Sequence, residues 1–559
     1  MSASTKKKLR KEQDAVVLTE KQQQAQKEAK QLKVHTTIFV VIVALVIGIG
    51  LFTLVSGWIN TSGIGDRMSV ALTVGEHKID TAQMNYFYVD TVNSVYSTWY
   101  NSYGNYTSSY LMMMGLDASK PLSQQTYNTA EDGTVLTWAD YFAEQAVNEA
   151  VSTYTMYDLA VEAGHALTDA EKADIDTAIK TMEGYAAQSG YSNLHDYLKA
   201  FYSNGATEKS FRAYLEVIAM ASSYERTVYE DLTFTQDALD AYSDEHFDDF
   251  SSFTYSTFQV HYSDFVGQFC EADEGDTEHT HSDEEKNAAL KAAKEAADAL
   301  IKAAPTTAIA FDKAVKGLDA YKEDDTAEAT AYTAQLFQQI TATDVANWLK
   351  DPARKTGDMT IITNTNSSTA EDGTTTENPY AYTVVLFLER NDNYMKLINV
   401  RHILKAFTGG TTENGKTVYS DAEKAVAKDY ITSLMDSWVA GGASEDAFAD
   451  LVSANSDDGG SVANGGLYTN VYPGQMVPTF DEWCFDGSRE AGDYGIVETD
   501  FGYHLMFFSG YGEQTYRDYM IENTLRNADY DKWYTDAVAA AKYTVKDLSG
   551  LRANLTIMG

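Results

Sequence analysis

Two histidines stand where apolar side chains are expected. In "NVRHILKAF", Asn399 to Phe407, alternation puts Val400, His402 and Leu404 on one face of a strand. In "FGYHLMFF", His504 shares a face with Gly502, Met506 and Phe508. One histidine on an apolar face is most often a hydrogen-bonded core residue. Two of them, on two strands of one domain, point to a pair. No Ser/His/Asp or Cys/His spacing suggests a nucleophile. A second group, His279 and His281 in "CEADEGDTEHTHSDEE" (Cys270 to Glu285), lies among acids. It could hold a Zn or Ca cation, but a solvated insertion is the favoured reading. Cys484, beside Trp483, reads as core packing.

The elements that must position the pair occur twice. "WLKDPARKTGDMTIIT" from Trp348 and "WCFDGSREAGDYGIVET" from Trp483 share Trp, Asp, Arg, Gly-Asp and Ile at a constant offset of 135. Upstream, "SDEEKNAALKAAKEAADALIKAA" from Ser282 parallels "SDAEKAVAKDYITSLMDSWVAGG" from Ser420, and "FQVHYSDF" parallels "VRHILKAF". Each copy reads as strand, long helix, short helix, Trp segment and two strands. Pairing "FQVHYSDF" with "VRHILKAF" sets Val260 opposite His402. Pairing "AYTVVLFL" with "GYHLMFFS" sets Thr383 opposite His504. A fold that dispenses with both histidines in one copy does not need them for packing. "NSSTAEDGTTTENPYA", before Tyr382, reads as a polar loop insertion.

The remainder of the chain sets the context. The net charge of −40 is uneven. Residues 1–34 hold nine Lys/Arg against four Asp/Glu, about +5, which leaves about −45 for the rest. That balance argues against nucleic-acid binding by the main body. Two cysteines are too few for a disulfide framework. "TTIFVVIVALVIGIGLFTLVSGWI", Thr36 to Ile59, is an uncharged run of 24 residues. After a basic tail it reads as an uncleaved signal anchor, with the N-terminus cytoplasmic and the bulk of the chain outside the cell membrane. Beyond it, "SVALTVGEHKID" reads as a strand and turn, followed by helices. Thr168, with Glu171 three residues on, forms a capping box. The Tyr- and Met-rich "NSYGNYTSSYLMMMGLD" is either helical core or an adaptable apolar surface.

"VRHIL", "AFADLVSANSDDGGSVANGG", "PGQMVPTFDEWCF" and "GIVETDFGYHLMFF", in that order over about residues 397–510, resemble a parvulin-type peptidyl-prolyl cis-trans isomerase. The opening "TVGEHKIDTAQMNYFY" and the tandem arrangement resemble the SurA/PrsA/PpiD group of foldases. The resemblance implies an α+β architecture in six parts. These are a cytoplasmic tail (1–34), a transmembrane signal anchor (35–60) and an all-helical chaperone-like domain (61–250). A degenerate parvulin-like domain (251–392) and an isomerase domain (395–511) follow. A C-terminal helix and strand (512–559) would pack back on the N-terminal domain. Carried over by position, His402 and His504 are the family's core histidines, Asp458 its Cys/Asp position and Thr499 the threonine that bonds a histidine. Met476, Phe480 and Phe501 fall on substrate-binding positions. Tyr468 stands where the family's pocket has leucine, because "GGLYTNVYPGQM" departs from the usual sequence after Gly465-Gly466. Isomerisation needs no cofactor and no metal. The implied partners are unfolded or newly secreted polypeptides and, through one helix, a membrane. Two other readings stay open: a holdase chaperone with a vestigial isomerase site, and an envelope scaffold.

Overall fold

The computed structural model describes residues 62–557 apart from 131, 271–280, 370–374 and 414–415. The tail 1–34 and the run Thr36–Ile59 lie outside the described residues. The expected membrane-spanning anchor, with its single-pass localisation and its membrane partnership, is corrected: among the described residues no helix is long and apolar enough to cross a membrane.

The described residues divide into two compact units, those up to 232 together with those from 529 on, and residues 233–528. In the first, β1 (Val70–Val74) turns at Gly75 into β2 (His77–Asp80). The C-terminal strand Tyr543–Val545 pairs with the other side of β1. Asp80 caps α1 (Thr81–Tyr103) in a reciprocal box with Gln83. A short helix, α2 (Thr107–Met113), follows. The region expected to be all-helical also contains a hairpin of β3 (Thr126–Thr129) and β4 (Val135–Thr137). Its turn closes through the Ala130 N–H to the Thr134 carbonyl. Thr137 and Asp140 then cap α3 (Trp138–Glu162), and Thr168 and Glu171 cap α4 (Asp169–Gln188). After α5 (Leu194–Phe201), α6 (Glu208–Asp231) packs on α3. Tyr86, Phe87, Trp138 and Phe142 are buried in the shared core. In the Tyr/Met-rich stretch only Thr107, Leu111 and Leu116 among the larger residues are buried; Tyr106, Met112 and Met113 are exposed.

The second unit carries two four-stranded antiparallel sheets of the same connectivity. The first combines β5 (Ser252–His261), β6 (Thr330–Leu336), β7 (Met359–Thr369) and β8 (Thr375–Asn391) in the order β6-β5-β8-β7. On one face lie α7 (Asp283–Ala303) and α8 (Ala308–Lys316); on the other is α9 (Thr343–Leu349). The second repeats the plan with β9 (Lys396–Ala406), α10 (Asp421–Ala440), α11 (Glu445–Asn455), β10 (Leu467–Val471), α12 (Pro478–Cys484), β11 (Tyr494–Glu498) and β12 (Gly502–Thr515). Its strand order is β10-β9-β12-β11.

The shared residues of the repeat build matching turns. Arg354 and Arg489 each donate Nε–H to the carbonyl of the tryptophan six residues earlier, at 2.9 and 2.7 Å. Each guanidinium also lies over that tryptophan's ring. Asp358 and Asp493 accept the N–H of Lys355 and Glu490, both at 2.9 Å. The stretch expected as a polar loop before Tyr382 largely forms the paired ends of β7 and β8. Its β-branched threonines favour strand, and Thr365 and Ser367 both bond Glu377 across the hairpin.

Register revises one pairing between the copies. His504 faces Val497 across β11/β12, and Thr383 faces Ile362 across β7/β8, so Thr383 does occupy the position of His504. His402 faces Met506, and the equivalent Val385 faces Thr257. Thr257, not Val260, therefore stands in the place of His402. Val260 is on the opposite face, buried against α7 and α8.

Candidate active site

β9 and β12 are the central strands of the second sheet, and their alternation directs His402 and His504 to the face away from α10 and α11. The two are diagonal neighbours, with rings 5.2 Å apart and nearly parallel. Both are buried; His402 is 3% exposed. Their Nδ1 atoms are 3.0 Å apart. His402 Nε2 lies 2.9 Å from Asp458 Oδ2, and His504 Nε2 lies 2.9 Å from Thr499 Oγ1.

Charge fixes the direction of each hydrogen bond. Burial acts to raise the Asp458 pKa, but hydrogen bonds from Ser461, His402 and Tyr468 outweigh it and hold it at about 2. Asp458 is therefore a carboxylate and only accepts. Burial keeps His402 neutral against the pull of Asp458, and burial together with His402 pushes the His504 pKa down to about 3. With both rings neutral, His402 Nε2–H donates to Asp458, which leaves His402 Nδ1 an acceptor. His504 Nδ1–H donates to it, so His504 Nε2 accepts from the Thr499 hydroxyl. Thr499 in turn accepts the Phe501 N–H at 3.1 Å. One order of protons satisfies the whole chain; the tautomers follow from this bookkeeping.

The elements around the pair have local causes. Gly466 accepts the His402 N–H at 2.9 Å while its φ is +73°, and a Cβ there would stand 2.4 Å from the His402 carbonyl oxygen. Only glycine permits that approach. Pro478 opens α12, where its missing N–H costs nothing. The helix carries Phe480, whose ring meets both imidazoles edge-on at 5.5 Å. Met476 and Tyr468 are half-buried beside it. The Tyr468 hydroxyl donates to Asp458 Oδ2 at 3.0 Å, and its ring lies 5.2 Å from that of His402. Phe501 is 62% exposed. Its neighbours Thr499 and Asp500 border a cleft of about 760 Å³ that continues to Lys416 and Phe407 and touches neither histidine.

The structure thus brings His402, Asp458, Thr499, His504, Tyr468, Met476 and Phe480 together, with Phe501 at the rim. Sequence reasoning missed Ser461, which is fully buried, donates to Asp458 and lies 3.2 Å from His402 Nε2. It sits in an irregular segment where no periodicity marks it; its place three residues after Asp458 is the one signal. In the first copy the corresponding region is a cavity of about 440 Å³ lined by Thr257, Gln259, Gln335, Asn364 and Thr383. Thr383 donates to Asn364 at 2.8 Å. Burial lifts the Cys484 thiol to about 12, so it is not a nucleophile at neutral pH. Of the acidic insertion, Cys270, His281 and Glu285 have ligand atoms within 4.8 Å of one another, and Glu285 also caps α7 through Ser282. His279 lies outside the described residues.

Residues 382–508 match the family model of the PPIC-type PPIASE domain. No curated protein matches the chain. Among solved structures, PrsA from Bacillus subtilis is similar at 14% identity and TM-score 0.26, over 76% of this chain and 94% of that one. Peptidylprolyl isomerase PrsA from Bacillus anthracis is similar at 21% identity and TM-score 0.17, over 27% of this chain and 59% of that one. A SurA-like chaperone structure from Campylobacter jejuni is similar at 13% and TM-score 0.14, over 75% of this chain and all of that one. The matched residues span both central strands of the second sheet and include His402 and His504: this chain carries a parvulin-type peptidyl-prolyl isomerase domain of the PPIC family.

Proposed function

We propose that the protein is a foldase that binds unfolded polypeptides and isomerises their X-Pro bonds at Asp458 and the apolar residues beside it. The barrier to that rotation is roughly 18–20 kcal/mol because it breaks amide resonance. Resonance places negative charge on the carbonyl oxygen, so a fixed carboxylate beside that oxygen disfavours the planar amide more than the twisted one. Asp458 is the partly exposed end of the hydrogen-bond chain, and its low pKa keeps the charge in place at neutral pH. Met476, Phe480 and Tyr468 would grip the proline ring. His402, His504, Thr499 and Ser461 act as positioning residues that hold Asp458.

The observation that carries this reading is the unbroken run of hydrogen-bond contacts from Phe501 through Thr499, His504 and His402 to Asp458. The test is isomerisation of an X-Pro peptide by the protein and its variants. Asp458→Asn should lower kcat/KM roughly a hundredfold, at the low end of the effect of one preorganised electrostatic group. Unchanged turnover would remove Asp458 from the mechanism.

One observation favours a second reading, a holdase with a vestigial site. The Tyr468 hydroxyl bonds the same carboxylate oxygen that His402 does, and its ring fills space that the resembled family gives to leucine. Tyr468→Leu separates the two: a gain in turnover from a near-inactive parent supports the vestigial site, and a loss from an active parent supports the enzyme.

A further inference from the structure

The first unit holds a groove of about 540 Å³ between α3 and the C-terminal segment. Ala139, Ala143 and Val147 form one wall; Tyr543, Val545 and Leu548 form the other. Tyr88 lines it and is 0% exposed, yet among the described residues its hydroxyl finds no hydrogen-bond partner. A buried hydroxyl left unpaired costs about 1–3 kcal/mol, so one on a residue that lines a groove points to a guest whose entry supplies the partner. Burial and the charge of Asp140 raise the pKa of this phenol, which leaves it protonated and able to donate.

A strand edge opens beside the same groove. Tyr543–Val545 is the outer strand of its sheet. The Gly75 N–H donates to the Lys542 carbonyl and the Lys546 N–H to the Ala71 carbonyl, both at 2.8 Å, and Thr544 is in register with Thr73. Alternation then turns the backbone groups of 542, 544 and 546 toward β1 and those of Tyr543 and Val545 outward. The Tyr543 and Val545 side chains are 49% and 44% exposed. An open edge of this kind is a template for another strand. Asp140 and Glu144, both exposed, stand on the α3 wall of a chain with net charge −40.

We propose that this groove takes an extended segment of an unfolded polypeptide by strand addition to the Tyr543–Val545 edge, the segment alternating apolar with cationic side chains. Its backbone would pair with the outward groups of Tyr543 and Val545. A guest carbonyl or side-chain acceptor would satisfy Tyr88, apolar side chains would line the α3 wall, and lysine or arginine would meet Asp140 and Glu144. The proposal rests on the reading that the protein binds unfolded chains, and it names where.

The test uses the full chain and a labelled, proline-free peptide alternating valine and lysine, with binding read by anisotropy. Val545→Pro removes one outward N–H while Thr544 keeps its pairing with β1. Tyr88→Phe removes only the hydroxyl. Each should weaken peptide binding about threefold to tenfold, the worth of one hydrogen bond. Tyr88→Phe should also raise the melting temperature, because an unpaired buried hydroxyl is gone; a merely structural hydroxyl would not lower affinity as well. Unchanged affinity in both variants, with the parent binding peptide and suppressing aggregation, overturns the groove and leaves the foldase reading. A parent that neither binds peptide nor suppresses aggregation overturns both. Dimerisation of the parent that Val545→Pro abolishes, without peptide binding, would give the edge to a second copy of the chain and also overturn the proposal.

Discussion

Asp458 combines three donors on one oxygen with a partly exposed position, which makes it the residue most sensitive to its neighbours. Ser461→Ala should raise its pKa and reduce turnover while leaving the apolar pocket in place; a shifted acid limb in the pH profile of kcat/KM would show this. Thr499→Val should leave His504 Nε2 without a donor, at a cost of about 1–3 kcal/mol in unfolding free energy. Acid stability follows from His504 with a definite sign. Above pH 6.5 the folded and unfolded imidazoles are both neutral, and the shift contributes nothing. Below 6.5 the unfolded chain gains a proton that the folded site refuses until about pH 3, so stability falls as pH falls. Asp458 adds a loss in the same direction between its ordinary 3.8 and about 2. From pH 7 to pH 5 the His504 contribution is roughly 2 kcal/mol. His402, also kept neutral by burial, adds to the drop in the same direction. Denaturant unfolding at the two pH values should show at least the His504 contribution, and His504→Asn should lose that share. An equal drop in the variant would assign acid sensitivity elsewhere.

At the scale of elements, the two copies separate what the fold needs from what the site needs. The Trp–Arg stack, the Gly-Asp turn and the Ser–Glu capping box recur in both, each with the same hydrogen bonds. These were legible because turns and caps depend on residue type at fixed short spacing. The histidine pair was legible because strand alternation alone sets a face. The partner of His402 in the first copy was misread because β5 has apolar residues on both faces and a bulge at Thr254/Tyr255, so hydrophobicity did not fix the register. A slip of three residues exchanges the faces, which is how Val260 took the place of Thr257. Ser461 and the carboxylate contact of Tyr468 were not legible, because both arise from loop geometry and a long side chain across strands. The copies also give an element-scale prediction. His402→Ala with His504→Ala in the full chain should abolish isomerisation, since Thr257 and Thr383 leave the first copy with hydroxyls and amides but no imidazole pair. Residual activity at half the parent's level would mean that the first copy works without histidines.

For the whole molecule, the proposed foldase draws on different surfaces, with different physics, for catalysis and for binding. The proposed isomerisation depends on the buried hydrogen-bond network of His402, His504, Thr499 and Asp458. Holding an unfolded chain depends on exposed apolar area and charge. The first unit presents both: Tyr100, Tyr106, Met112 and Met113 are exposed on α1, α2 and the turn between them, and methionine and tyrosine adapt to varied partners. The net charge of −40 adds attraction for basic clients that reaches only about 8–10 Å at physiological salt. The double histidine variant should therefore suppress aggregation of an unfolded protein as well as the parent does. Added salt should weaken suppression for a basic client and leave it little changed for an acidic one, because screening removes the charge term and spares the apolar term. Light scattering of two clients of opposite charge, in low and high salt, reads both effects at once. Loss of suppression in the double histidine variant would join binding to the isomerase site. Equal salt dependence for the two clients would leave the acidic surface a role in solubility alone.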